Sequence, residues 1–127
     1  MKLRIKGNSL RLRVSRSEVA KVLKGERVEE TIYFAPEATA RLTYALEREP
    51  SVTMPTVRYT APEVTVLIPV DQALTWCLTD QVGIVENISL GSQGSLDVIV
   101  EKDFACLDRS DEDNQDTFAN PHAEAIC

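Results

Sequence analysis

The segment KLRIKGNSLRLRV, residues 2–14, alternates on both sides of a two-residue break. Leu3, Ile5, Leu10, Leu12 and Val14 hold every second position, and Lys2, Arg4, Lys6, Arg11 and Arg13 hold the positions between. A period of two sends successive side chains to opposite faces of a strand. Gly7-Asn8 has turn chemistry, so the segment predicts a hairpin with one apolar and one cationic face. A lone hairpin is marginal in water. The rest of the chain must cover the apolar face, and the cationic face must be solvated, neutralised or occupied.

Outward from the hairpin, Ser15 followed by Glu18 is a capping-box signature. It predicts a short helix with Val19, Val22 and Leu23 on one face and a stop at Gly25. Residues 27–34 and 40–47 read as strands around Ala35-Pro36-Glu37, and Pro50 and Pro55 mark a loop. Residues 56–60 and 63–70 read as two further strands. Asp71 is the expected cap of a second short helix, QALTWCL, in which Leu74, Cys77 and Leu78 share a face. Strands over 82–88 and 96–102 follow, and then the periodicity stops. The tail has loop composition, with Phe104, Leu107 and Phe118 as expected apolar anchors.

Displacing the sequence by 54 residues without a gap superposes like on like. Leu10, Leu12 and Val14 fall on Val64, Val66 and Ile68. Ala20, Val22 and Leu23 fall on Leu74, Trp76 and Cys77, and Val28 falls on Val82. The expected fold is therefore α+β: a largely antiparallel eight-stranded sheet curved toward a barrel, made of two ββαββ pseudo-repeats with two short helices. The expected division is a duplicated domain over residues 1–103, with halves at about 2–48 and 56–102. An acidic C-terminal extension over 104–127 would pack on it.

The 127 residues suit one domain, and 43% apolar with 27% charged is ordinary globular composition. The net charge of −6 is unevenly spread. Residues 1–27 carry +7, residues 28–100 carry −7 and residues 101–127 carry −6. Nucleic-acid binders carry a net basic domain, so no nucleic-acid partner is expected. No apolar run is long enough for a spanning helix, and no apolar leader is present, so no membrane partner is expected either. Three cysteines, Cys77, Cys106 and Cys127, suggest a reducing, cytoplasmic setting.

Sorting the strands by parity gathers one mixed-charge face. Its basic members, Arg4, Lys6, Arg11, Arg13 and Arg58, are the candidate anion-binding residues, because guanidinium groups take oxyanions bidentately. Its acidic members, Glu29, Glu47, Glu63 and Glu101, are candidate partners of those cations or ligands of a divalent metal. Two copies of a strand-and-helix unit with charged inward faces resemble the CYTH, or triphosphate-tunnel, family over roughly residues 2–102. That resemblance implies an eight-stranded barrel hydrolysing or cyclising triphosphates with Mg²⁺ or Mn²⁺. The family's Glu-x-Glu-x-Lys signature falls on the first strand, which here reads Lys2-Leu3-Arg4-Ile5-Lys6 without a carboxylate. The chain also resembles short bacterial proteins of unknown function that share a GNSLRLR start and an EKDFxCL end.

In the tail, Cys106, His122 and Cys127 are zinc-ligand types at spacings that match no common finger. Asp111-x-Asp113 lacks the glycine and closing glutamate of a calcium loop. The functional expectation is a non-catalytic binding domain for a small anionic or phosphorylated ligand or a protein partner, with no resident cofactor. The alternatives are a divalent-metal-dependent triphosphate phosphohydrolase of the tunnel type and a protein stapled by zinc at its tail.

Overall fold

The computed structural model describes residues 1–105 and 114–119. Strands β1 (Lys2–Lys6) and β2 (Ser9–Val14) form the opening hairpin, with Gly7 at φ +56° in its turn. Helix α1 (Arg16–Leu23) leads to β3 (Val28–Tyr33) and β4 (Arg41–Arg48). The order then recurs as β5 (Thr56–Thr60), β6 (Glu63–Ile68), α2 (Val70–Leu78), β7 (Gly83–Ser89) and β8 (Ser95–Lys102).

The expected α+β class, eight strands and two helices are present, but the strands do not form one sheet. They divide into two sheets of four, β1-β2-β8-β7 (sheet A) and β3-β4-β6-β5 (sheet B). There is no closed barrel. Each sheet is mixed: its outer pairs are antiparallel, and its central pair, β2 with β8 or β4 with β6, is parallel. Sequential hairpins suggested antiparallel neighbours throughout, but each helix carries the chain across to the other sheet. The inner strands of each sheet are therefore contributed by different parts of the chain. A pattern of two reports which face a residue occupies and is silent about which strand lies beside it.

The pairing registers repeat. Ser9 pairs with Asp97 in sheet A, and Glu63 pairs with Thr43 in sheet B, which is the same pair displaced by 54 residues in each strand. Lys2 with Arg13 likewise maps onto Thr56 with Leu67. The last hairpins depart from this. Val28 pairs with Leu46, and its counterpart pair is Ile84 with Val100, so Val28 matches Ile84 rather than Val82. Two extra residues before β7 are offset by a β7–β8 connection of five residues against seven between β3 and β4.

Between the sheets lies one apolar core. Leu10, Leu12 and Val14 of β2, Val98 and Val100 of β8, Leu46 of β4, and Val66 and Ile68 of β6 are buried in it. Val19 and Val22 of α1 and Ala73 and Trp76 of α2 join the same cluster. The side chains of opposite parity on these strands therefore point away from the core. The apolar parity set holds except at the strand ends, where Ile5 and Tyr59 are 64% and 68% exposed.

Local chemistry explains the helix ends. The Ser15 backbone N–H donates to Glu18 Oε1 at 3.0 Å, and the Glu18 N–H donates to Ser15 Oγ at 3.4 Å, which completes the capping box. At the other end Gly25 sits at φ +83°, and the N–H groups of Gly25 and Glu26 donate to Val22 and Lys21 carbonyls at 3.0 and 2.9 Å. This is a Schellman stop, for which glycine is the favoured residue. Helix α2 starts earlier than expected. Pro69, not Asp71, is its N-cap, and no side chain caps it. The buried face of α2 is centred on Ala73 and Trp76, with Leu74 and Cys77 half-buried and Leu78 66% exposed.

Residues 114–119 return to the body. Phe118 packs against the core and pairs with Phe104 at a centroid distance of 6.0 Å. Asp116 Oδ1 accepts from the Ser17 N–H at 3.1 Å, and its carbonyl accepts from the Arg16 N–H at 3.0 Å. Both donors lie in the first turn of α1, where helix N–H groups lack partners within the helix. Among the described residues, no helix is long and apolar enough to cross a membrane.

Candidate functional site

The outer face of sheet A is set by register. Lys2 lies opposite Arg13, Arg4 opposite Arg11, and Lys6 opposite Ser9. One strand further, Arg13 meets Glu101, Arg11 meets Ile99 and Ser9 meets Asp97. Five cations thus occupy a grid about 5 Å across the strands and about 7 Å along them.

Among the described residues, the grid is neutralised at one end only. Lys2 Nζ is 3.0 Å from Asp103 Oδ2, and Arg13 Nε is 3.0 Å from Glu101 Oε1. Arg11 shares the same Glu101 oxygen at a longer 3.6 Å. Arg4 and Lys6 have no ion pair among the described residues. Those two cations, Arg11, Ser9 and Ile99 line a cleft of about 140 Å³. The Ser9 hydroxyl donates to the Lys6 carbonyl at 2.6 Å, and Asp97 is held from the far side by the Asn87 amide at 2.7 Å. Like charges directly opposite across a strand pair repel, and Arg4 and Arg11 are such a pair. The cleft is well under the roughly 300 Å³ at which drug-sized pockets begin, so it suits an oxyanion group.

Arg58, Glu29, Glu47 and Glu63 lie on the other sheet. The five candidate cations and four candidate carboxylates are therefore not one site. On the outer face of sheet B, Arg27 gathers the acids. Its guanidinium lies 3.0 Å from Glu47 and 3.5 Å from Glu29, and it also bonds Glu63. It donates to the hydroxyl of buried Thr65 at 3.4 Å as well. Arg58 approaches Glu47 at 3.6 Å. Partial burial alone would lower the Arg27 pKa, but the hydrogen bond Arg27 donates to Glu47 and the three nearby carboxylates outweigh it and raise the value above that of a free guanidinium. Sequence reading overlooked Arg27, whose Glu47 and Glu63 partners are 20 and 36 residues away. Only the adjacent Glu29-Glu30 pair hinted at its role.

Two larger concavities are mixed in character. One of about 450 Å³ lies at the start of α1, where Lys2, Arg13 and Lys21 stand among Glu18, Asp103 and Asp116. The Met1 α-amino group, 2.7 Å from Glu18, closes one side of it. The other, about 600 Å³, runs between the end of α2 and Phe104 and Phe118. Cys77 lines it, donating its thiol to the Val19 carbonyl at 3.6 Å. Burial pushes the Cys77 thiol above its usual pKa, although Lys102 and Arg48 pull the other way. Among the described residues, no three His, Cys, Asp or Glu side chains come together as a metal would require. Cys106, His122 and Cys127 lie outside the described residues.

No curated protein and no solved structure matches the chain. A family model does, over residues 1–122: its description is a family of unknown function, DUF7009. The chain belongs to that family.

Proposed function

We propose that this protein is a non-catalytic binding domain for a small anionic or phosphorylated molecule. Arg4, Lys6 and Arg11 are the cations that hold the ligand, and Ser9 and Ile99 complete the lining of their cleft. One observation carries the reading: Arg4 and Arg11 face each other directly in register with Lys6 beside them, and among the described residues neither Arg4 nor Lys6 has an ion pair. Arg13 supports the site from the neighbouring row, where Glu101 already occupies it. Arg58 belongs to the sheet B network and takes no part.

In this reading residues 1–103 are a duplicated domain with halves at about 2–48 and 56–102, and 104–127 are an acidic extension, of which residues 114–119 pack on the domain. The repeated pairing registers favour that division. A reducing, cytoplasmic setting agrees with an unpaired Cys77.

Thermal unfolding with phosphate, pyrophosphate and ATP, against sodium chloride at matched ionic strength, tests the proposal. A ligand at a hundredfold excess over its Kd adds about 2.7 kcal/mol of stability, a rise of several degrees. The rise is expected to shrink in Arg4→Ala and to vanish in the Arg4→Ala/Arg11→Ala pair. If none of the anions raises the midpoint, or if the double variant responds as fully as the parent, the reading is wrong.

A further inference from the structure

The row that holds the facing arginines does not end at them. Arg4 is in register with Arg11, Arg11 with Ile99, and Ile99 with Val85, so one line of side chains crosses the whole outer face of sheet A. Its first half is cationic and its second half is apolar. Ile99 is half-buried and forms a wall of the cleft itself, while Val85 on edge strand β7 is 70% exposed. Strand spacing places Val85 about 10 Å from Arg11.

Sheet B supplies an internal comparison. The counterpart row runs Arg58, Thr65, Ala45 and Glu29. There the position matching Val85 is a carboxylate, and the position matching Ile99 is a small buried alanine. That row carries a cation at one edge and an acid at the other. Sheet A replaces the acid with an open apolar surface continuous with a cleft whose Arg4 and Lys6 have no ion pair among the described residues.

We infer that the ligand is an organic monophosphate whose apolar body is joined directly to the phosphoryl group. Arg4, Lys6 and Arg11 hold the phosphoryl oxygens, and Ile99 and Val85 form the shelf on which the body lies. A phosphomonoester carries about −1.5 to −2 charges at neutral pH. This matches two cations without an ion pair among the described residues and a third that Glu101 holds only at 3.6 Å. A polar body gains nothing from the shelf, so the shelf sets specificity and the cleft sets affinity for the charge.

The shelf matters only if the cleft binds anions, and titration calorimetry of the full chain separates the two. The probes are inorganic phosphate, glycerol phosphate and naphthyl phosphate. Naphthyl phosphate is expected to bind roughly tenfold tighter than the other two. Val85→Ser, an exposed change on an edge strand, is expected to remove most of that advantage while leaving the affinity for inorganic phosphate unchanged. Val85→Glu, which restores the arrangement of sheet B, is expected to abolish it. Equal affinities for all three probes would overturn the shelf and leave the cleft standing, as would a Val85→Ser variant that weakens all three alike. Binding of none of the three would overturn both.

Discussion

Arg27 shows how one side chain can organise a face. It bridges three carboxylates from β3, β4 and β6 and lies over Thr65. Each exposed pair of this kind contributes about 0–1 kcal/mol, but removing the shared cation leaves three acids crowded together. Arg27→Met is therefore expected to cost about 1–2 kcal/mol in low salt and less in high salt, read from urea melts at the two ionic strengths. Trp76 is a different case. It is fully buried, and its indole N–H donates to the Val82 carbonyl at 3.0 Å. Trp76→Ala is expected to cost about 3–5 kcal/mol by the same melts. Composition and parity picked out the charged positions correctly as a class. They could not say which cations already had partners, because Glu101 reaches Arg13 across 88 residues of sequence.

At the scale of elements, the start of α1 was legible because its signals are local. A capping box needs residues only three apart, and Ser15→Ala is expected to cost about 1 kcal/mol. The start of α2 was not, since Asp71 looks like a cap and the chain enters the helix from Pro69 instead. Gly25 is doubly constrained, by its positive φ and by the Arg48 Nη2 only 2.8 Å from where a Cβ would sit. Arg48 also donates to the Leu23 carbonyl at 3.1 Å, so a side chain at residue 25 would disturb a second support of the helix end. Asp116 gives the first turn of α1 a dependence on pH. The Ser17 hydroxyl bond, opposed by slight burial and aided by the Ser17 N–H, Ser15 and Arg16, lowers its pKa below the usual 3.8. A depressed carboxylate stabilises the fold above its unfolded pKa, and the contribution is lost as pH falls through the folded value. The difference in melting temperature between the parent and Asp116→Asn is expected at neutral pH and should fade as the pH falls below the usual carboxylate range, vanishing once Asp116 is protonated in the folded state.

At the scale of the whole molecule, strand positions, helix number and the repeat spacing were readable, and the partition into two sheets was not. Alternation reports the buried side of every strand and nothing about its neighbours. The neighbours follow from where α1 and α2 deliver the chain, which depends on packing of Val19, Val22, Ala73 and Trp76 in a shared core. The two-residue slip before β7 was hidden for a related reason: it is compensated in the next connection, so strands on either side stay in phase. The same partition sets an order of assembly. The central pair of sheet B joins residues 20 apart, and that of sheet A joins residues 88 apart. Closing the longer loop costs about 1.3 kcal/mol more chain entropy. Sheet B is expected to form in the folding transition state and sheet A after it. Truncations in β4 and β6 should then slow folding, while truncations in β2 and β8 should mainly speed unfolding. During synthesis the first hairpin leaves the ribosome long before β8 exists, and it must wait with its leucines uncovered. Its five like charges repel a second nascent copy of the same ribbon, so the cationic row guards the newborn chain before its partner strand is made.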